Sequence, residues 1–262
     1  MKLSIIIPVY NEESTVGEVI EQVLSVELSG VEKEVIVVDD GSTDGTAEVL
    51  KHEQSEHADV VTVCSSHQNF GKGRAIRIGL KYVTGEIVLI QDADLELDPK
   101  EYGVLLAPIL SGQASVVYGS RFLNSANRIP WKSRLAQRIL TPLIRILYNA
   151  RLTDEATAYK LFKADILKSL DLRCTGFEFC PEVTAKLLKR GYRIREVPIS
   201  YRPRTDAEGK KLRFVRDGMI ALYTLIKYRF TREQAMGSKI DFSVVEAGGK
   251  IPFRKSHRER SP

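Results

Sequence analysis

Short apolar, β-branched runs alternate with helical patterns from the first residue to about residue 120, and few folds accept that order. Residues 3–9, 34–39, 60–64, 87–90 and 115–118 read as strands. Between them, residues 13–28, 43–51 (opened by Ser42), 73–83 and 99 to about 110 read as helices. Strands this uniformly apolar belong in a sheet with both faces covered. The predicted class is therefore α/β, with a mostly parallel central sheet and helices on both sides. Ligands of such sheets bind outside the carboxyl ends of the strands. Three of those ends are polar, Tyr10-Asn11-Glu12, Asp39-Asp40-Gly41-Ser42 and Asp92-Ala93-Asp94, and the topology makes them converge.

The third end continues as Asp92-Ala93-Asp94-Leu95-Glu96, three acids spaced two apart. In an extended backbone alternate side chains share a face, so all three carboxylates point into one cleft. Like charges that close repel, and a site that keeps them ionised usually holds a cation. Oxygen ligands suit Mg²⁺ or Mn²⁺ together with substrate phosphates. The competing use is structural, with Asp94 or Asp98 capping the helix that starts near Pro99. In the loop 39–46, Ser42 and Asp44 suit local caps, while one of the paired acids Asp39 and Asp40 can accept from a ribose hydroxyl or a base N–H. Asn69-Phe70-Gly71-Lys72-Gly73-Arg74 starts a G-x-G, but Ile76 stands where a third glycine belongs. No G-x-x-x-x-G-K-[ST] occurs either. What remains is Lys72 at a helix N-terminus, suited to a phosphate or to a plain tight turn.

The 262 residues, 43% of them hydrophobic, suffice for one large domain with its own core. No stretch approaches the roughly 18 apolar residues of a transmembrane helix, and Met1-Lys2 leads straight into a strand, so a cytoplasmic protein is expected. Cys64, Cys174 and Cys180 are odd in number and lack metal spacing, as do the four histidines; the cysteines read as free thiols. Charge is uneven within a net +5. Residues 121–151 carry Arg121, Arg128, Lys132, Arg134, Arg138, Arg145 and Arg151 and no acid, which favours a nucleotide, a lipid phosphate or an anionic membrane surface over a merely solvated face. The second half reads as helix 135–148 interrupted by Pro142, a turn and short strand within 153–162, helix 181–190, strand 192–201 and an apolar helix 214–229. From about residue 231 to 262 the chain turns polar and basic, and disorder is predicted.

Five segments together resemble the family 2 glycosyltransferases of the GT-A fold, a Rossmann-like architecture. They are Ile5-Ile6-Ile7-Pro8-Val9-Tyr10-Asn11-Glu12-Glu13, Val37-Val38-Asp39-Asp40-Gly41-Ser42-Thr43-Asp44-Gly45-Thr46, Asn69-Phe70-Gly71-Lys72-Gly73, Asp92-Ala93-Asp94 and Gly119-Ser120-Arg121. Thr153-Asp154 through Phe162 and Tyr201-Arg202-Pro203-Arg204 through Gly209-Lys210-Lys211-Leu212 are similar to the polyprenyl-phosphate sugar synthase branch, which includes dolichol-phosphate mannose and glucose synthases. The resemblance covers residues 1–230 as one domain, with a nucleotide-sugar half at 1–120 and an acceptor half at 121–230. It implies a donor site of Pro8, Tyr10, Glu12, Val38, Asp39, Asp40, Lys72, Asp92, Ala93 and Lys210. It implies a metal and diphosphate site at Asp92 and Asp94, with Glu96 as a further ligand where relatives often carry Gln. Arg121, Arg204 and Lys210 resemble the basic residues that close over the donor diphosphate or the acceptor phosphate.

The implied reaction moves a hexose from a UDP- or GDP-sugar, with inversion and Mg²⁺ or Mn²⁺, to a polyprenyl (dolichyl or undecaprenyl) phosphate; no nucleic acid is expected as a partner. The leaving diphosphate gathers charge that a divalent ion, Arg121 and Arg204 can stabilise, with Asp94 among the catalytic residues. A lipid phosphate is largely ionised at neutral pH and needs little help from a base. A saccharide or other hydroxyl acceptor, as in cell-wall or polysaccharide synthesis, is the alternative; it requires a general base, for which Asp154 is the candidate, with a turn or cap as its other use. A non-catalytic sugar-nucleotide binding module is the reading from another class. Many members of the branch carry transmembrane helices after the catalytic domain, and this sequence shows none. Segment 121–151 with helix 214–229 suits contact with the inner membrane surface, the alternative being that both helices simply pack on the core.

Overall fold

The computed structural model describes residues 1–204 and 214–231. Its strands β1 (Lys2–Val9), β2 (Glu32–Asp39), β3 (Val61–Ser65), β4 (Ile87–Ile90), β5 (Val116–Ser120), β6 (Lys160–Lys163) and β7 (Arg195–Pro198) form one sheet in the order β3-β2-β1-β4-β6-β5-β7. Helices α1 (Val16–Ser25), α2 (Thr46–Glu56) and α3 (Lys72–Gly79) supply the crossovers among β1 to β4, all of which pair in parallel. The chain winds outward through β2 and β3, then returns to place β4 on the other side of β1. The gap between β1 and β4 is thus a topological switch point, where such sheets bind ligands.

The sheet departs from the expected pattern at β6, which runs antiparallel to both neighbours, β4 and β5. β7 then returns to parallel pairing with β5. Helix α4 (Tyr102–Leu110) leads into β5, α5 (Trp131–Tyr148) leaves it, and α6 (Ala164–Ser169), α7 (Phe179–Lys189) and α8 (Phe214–Phe230) complete the described helices. The two faces of β1 feed different cores, as the two-residue period of a strand requires. Leu3, Ile5, Ile7 and Val9 pack with α1 and α4. Ile6 packs with Ala75 and Ile76 of α3, Leu167 of α6 and Val183 of α7. Each such side chain contributes about 1.5–3 kcal/mol by leaving water.

Boundaries differ where polar side chains reach across loops. α2 begins at Thr46 instead of residue 43: Ser42 Oγ accepts from the Asn11 main chain (2.9 Å), Gly45 stands at the N-cap, and Asp44 Oδ1, one residue earlier, accepts from Thr46 N (3.1 Å). Asp98 caps the turn at Pro99–Glu101 through Lys100 N (2.9 Å). α5 starts before residue 135 and runs through Pro142 unbroken. Pro142 is exposed, so the carbonyl its ring leaves unbonded faces solvent. The short α6 has no counterpart in the sequence reading, and β7 covers less than the predicted 192–201. Lys210, like the predicted tail beyond Thr231, lies outside the described residues.

Candidate active site

At the switch point the strand ends enclose a cleft of about 510 Å³. Pro8, Tyr10 and Glu12 line it from β1, Asp40 from β2, Lys72 from the start of α3, and Asp92, Ala93, Asp94 and Glu96 from the end of β4. Arg121, following β5, and Arg204 line it from the other half of the molecule. The convergence expected from topology is therefore present, but the premise of one extended face is not. Leu95 has a φ of 56°, a left-handed conformation that bends the chain between Asp94 and Glu96. The three carboxylates do not close around one point. Among the described residues the tight carboxylate–histidine group is Glu21 of α1, Glu53 of α2 and His57 just after α2, none of which lines the cleft.

Within the acidic segment the side chains have separate partners. Asp92 meets Lys72 Nζ at 2.5 and 2.7 Å. Glu96 Oε1 accepts from the main-chain N of Arg204 (2.9 Å), which turns it toward holding that segment and away from a shared ligand position. Asp94 is left in the crowded position. Burial first, then Asp92 and Glu96, push its carboxyl up to about 7. A buried carboxyl among like charges is relieved by a proton or by a cation. Mg²⁺ needs only one or two carboxylates when phosphates and water complete its shell. The pair Asp92 and Asp94 fits that donor set, while Glu96 lines the same cleft with its Oε1 engaged by Arg204 N.

Arg204 braces the cleft from above. Its Nη2 and Nη1 meet Glu12 Oε2 and Oε1 at 2.6 and 3.2 Å, and its Nε donates to the carbonyl of Asp94 (3.0 Å). Thr15 Oγ1 joins the same corner by donating to the carbonyl of Ala93 (2.7 Å). Arg121 is held from behind: its Nε and Nη2 meet Asp154 Oδ2 and Oδ1 at 2.7 and 2.8 Å, and its main-chain N donates to Oδ2 (3.0 Å). Asp154 itself is fully buried and absent from the cleft wall. The expectation of a general base there gives way to a carboxylate that fixes Arg121.

Two further donor-site expectations change in the same way. Val38 is buried in the core beside Gly79, and Asp39 is buried with its Oδ1 accepting from Ser42 N (3.0 Å); neither lines the cleft. Asp40 does line it, yet its oxygens accept from Phe70 N (3.0 Å) and Gly71 N (2.6 Å), tying the 69–71 loop to β2. Gly71 has φ 99°, and a Cβ there would come within 2.5 Å of the Thr175 carbonyl. The N–H groups of Gly73 and Arg74, which a phosphate at the helix start would need, donate instead to the carbonyls of Gly176 and Thr175 (3.1 and 3.0 Å). α3 therefore brings Lys72 to the cleft as a side chain and docks its N-terminus on the 174–176 loop. Glu155, which the sequence reading passed over, also lines the cleft and is fully buried.

Residues 4–171 match the profile of Glycosyl transferase family 2. The chain is 30% identical over 239 residues to the dolichyl-phosphate beta-glucosyltransferase ALG5A of Trichomonas vaginalis, covering 86% of this chain and 72% of that protein. It is 26% identical over 209 residues to the undecaprenyl-phosphate 4-deoxy-4-formamido-L-arabinose transferase of Edwardsiella ictaluri, covering 79% of this chain and 62% of that one. The alignment thus spans less than two thirds of the latter's length. Among solved structures, glucosyl-3-phosphoglycerate synthase from Mycobacterium tuberculosis, in complex with Mn²⁺, UDP and phosphoglyceric acid, superposes with a TM-score of 0.67 at 22% identity, covering 88% of this chain and 80% of that one. That likeness identifies the fold as GT-A. With strand ends, fold and sequence in agreement, this chain belongs to glycosyltransferase family 2, and its curated relatives fall in the polyprenyl-phosphate sugar synthase branch.

Proposed function

We propose that the protein transfers a hexose from a UDP- or GDP-sugar to a polyprenyl phosphate, with inversion, and that Asp92 and Asp94 hold a divalent cation, Mg²⁺ or Mn²⁺, for that reaction. The observation that carries this reading is the continuity of the cleft. It runs from the strand ends to a wall made by Ala136, Gln137 and Leu140 of α5 and Gly218 and Ala221 of α8. Those two helices pack on each other through Leu140, Ile144 and Leu225. Outward, α5 exposes Trp131, Leu135, Ile139 and Ile146, and α8 exposes Val215, Met219, Tyr223, Ile226 and Phe230. Lys132, Arg138, Arg145, Arg216, Lys227 and Arg229 are exposed on the same helices. Apolar stripes flanked by basic side chains suit an anionic lipid surface, and no helix among the described residues is long and apolar enough to cross a membrane.

Pro8, Tyr10, Glu12 and Asp40 form the nucleotide end of the cleft on this reading. A cation held by Asp92 and Asp94 would offset the charge that gathers on the leaving diphosphate. Arg204, braced by Glu12 and the carbonyl of Asp94, and Arg121, braced by Asp154, present charge-assisted N–H groups to phosphate oxygens. Lys210 is assigned the same role. A lipid phosphate arrives ionised, in keeping with Asp154 being engaged with Arg121. The relatives named for undecaprenyl and dolichyl phosphate support the acceptor, and the solved relatives in complex with UDP and Mn²⁺ or Mg²⁺ support the donor and cation. Asp94→Ala is expected to abolish transfer and the metal-dependent thermal shift given by a UDP- or GDP-sugar. Full activity in that variant would overturn the assignment.

A further inference from the structure

Glu155 lines the cleft and is fully buried, and neither carboxylate oxygen makes a well-formed hydrogen bond among the described residues, the Thr184 hydroxyl being the one protein donor near enough to stabilise its charge. A carboxyl held that way is among the costliest polar groups a fold can keep. Its neighbours are committed elsewhere. Lys160, equally buried, directs Nζ to the carbonyls of Glu155 (2.7 Å) and Thr157, and lies over the Tyr118 ring at 4.4 Å. The Tyr118 hydroxyl pairs with Thr184 Oγ1 at 2.9 Å, and Arg121 is bound to Asp154.

The surroundings place this carboxyl next to the diphosphate end. Cys180, also on the cleft wall, lies near enough to Glu155 and Lys160 and to Lys72 and Asp92 to be influenced by all four. Ala156, Ala158 and Phe179 line the same cleft with small or apolar side chains. A phosphate is repelled by a carboxylate in such a place, and one carboxylate does not make a cation site. A neutral group bearing several hydroxyls is what remains, and in a nucleoside-diphosphate sugar that group is attached directly to the phosphate beside Asp92.

We propose that Glu155 is a specificity-determining residue that binds hydroxyls of the hexose being transferred, and so selects which sugar the protein uses. The inference rests on the donor reading given above. Burial pushes the Glu155 carboxyl up to about 7, with Lys160 opposing, so near neutral pH it can accept from a hydroxyl or donate to one. A site built to bond a hydroxyl discriminates strongly against sugars that lack it or present it differently.

The test compares the wild type with Glu155→Gln and Glu155→Ala by calorimetry in Mn²⁺, using UDP, GDP, UDP-glucose, UDP-galactose and GDP-mannose, with thermal unfolding to confirm the fold. Expected is a loss of roughly ten- to hundredfold in affinity for the preferred sugar nucleotide, a reduced preference among sugars, and unchanged affinity for the matching free diphosphate. Equal losses for sugar nucleotide and diphosphate, or no loss for either, overturn the proposal. A wild type that binds none of the five overturns the donor reading beneath it.

Discussion

The buried pair Arg121–Asp154 makes a quantitative prediction that separates two roles for Asp154. Side-chain exposure is 14% for Arg121 and 0% for Asp154, and the contact is bidentate with a third bond from the Arg121 main chain. Removing one partner of such a pair strands the other charge, at a cost of about 3–5 kcal/mol. At roughly 2–4 °C per kcal/mol for a domain of this size, Asp154→Ala should lower Tm by about 6–20 °C. Asp154→Asn keeps one acceptor and should fall at the lower end. Arg121→Met combined with Asp154→Ala leaves no stranded charge, so its destabilisation should be smaller than the sum of the singles, with a coupling of about 2 kcal/mol or more. Urea and thermal unfolding of the four proteins give the cycle, and turnover at saturating donor gives the catalytic effect. Additive losses below about 1 kcal/mol, together with a collapse of kcat in Asp154→Asn at unchanged Tm, would refute the positioning role and restore Asp154 as a base.

Other perturbations follow from the same geometry. Gly71→Ala must fit a side chain at φ 99° against the Thr175 carbonyl, and is expected to lower stability by at least about 1 kcal/mol and to weaken donor binding, read by urea titration and calorimetry; a neutral effect would contradict the docking of α3 on 174–176. Glu34 is partly desolvated, yet hydrogen bonds from Lys2, Ser4 and Thr84 hold its carboxyl down to about 2 from 4.5. Its stabilisation is complete above 4.5 and lost as pH falls toward 2, so Glu34→Gln should flatten the acid limb of the stability curve in that window, and an unchanged limb would count against it. Met219→Glu, on the exposed stripe of α8, should reduce flotation with phosphatidylglycerol vesicles while Tm stays within about 1–2 °C. Wild-type flotation in that variant would argue against this face as the lipid contact.

The parallel half was legible because each strand is apolar on both faces and each ends in residues that cannot continue it. Direction was not legible for β6: Lys160-Leu161-Phe162-Lys163 is too short to reveal which way it runs, and Lys160 reads as an exposed residue although it is fully buried. The strand-end rule brought Tyr10, Glu12, Asp40, Asp92 and Asp94 to one cleft without any contact information. Individual roles were harder to read, because a sequence gives the chemistry of a side chain but not the partner that reaches it first. Asp40 is met by the N–H groups of Phe70 and Gly71, Asp154 by Arg121, and Glu96 by the main chain of Arg204. Glu155 carries no sequence signal of its own, since its burial at the cleft wall is set by the fold around it.

The same pairing bears on why the cleft would need a metal at all. The described bases expected to close over a diphosphate each already face an acid: Lys72 faces Asp92, Arg204 faces Glu12 and Arg121 faces Asp154. Asp94 and Glu155 carry no cation bonded to their carboxylates among the described ion pairs, so the described residues of the wall offer more acids than bases to an incoming diphosphate. Binding the diphosphate by the protein alone would require opening one of those pairs, at a cost near that of stranding a buried charge. A divalent cation held by Asp94 and Asp92 would supply the missing positive charge without that rearrangement. On the proposed reading the basic side chains therefore position and shield, while the cation supplies the net positive charge, so that nucleoside diphosphate affinity should fall steeply in chelator even though Lys72, Arg121 and Arg204 are all in place.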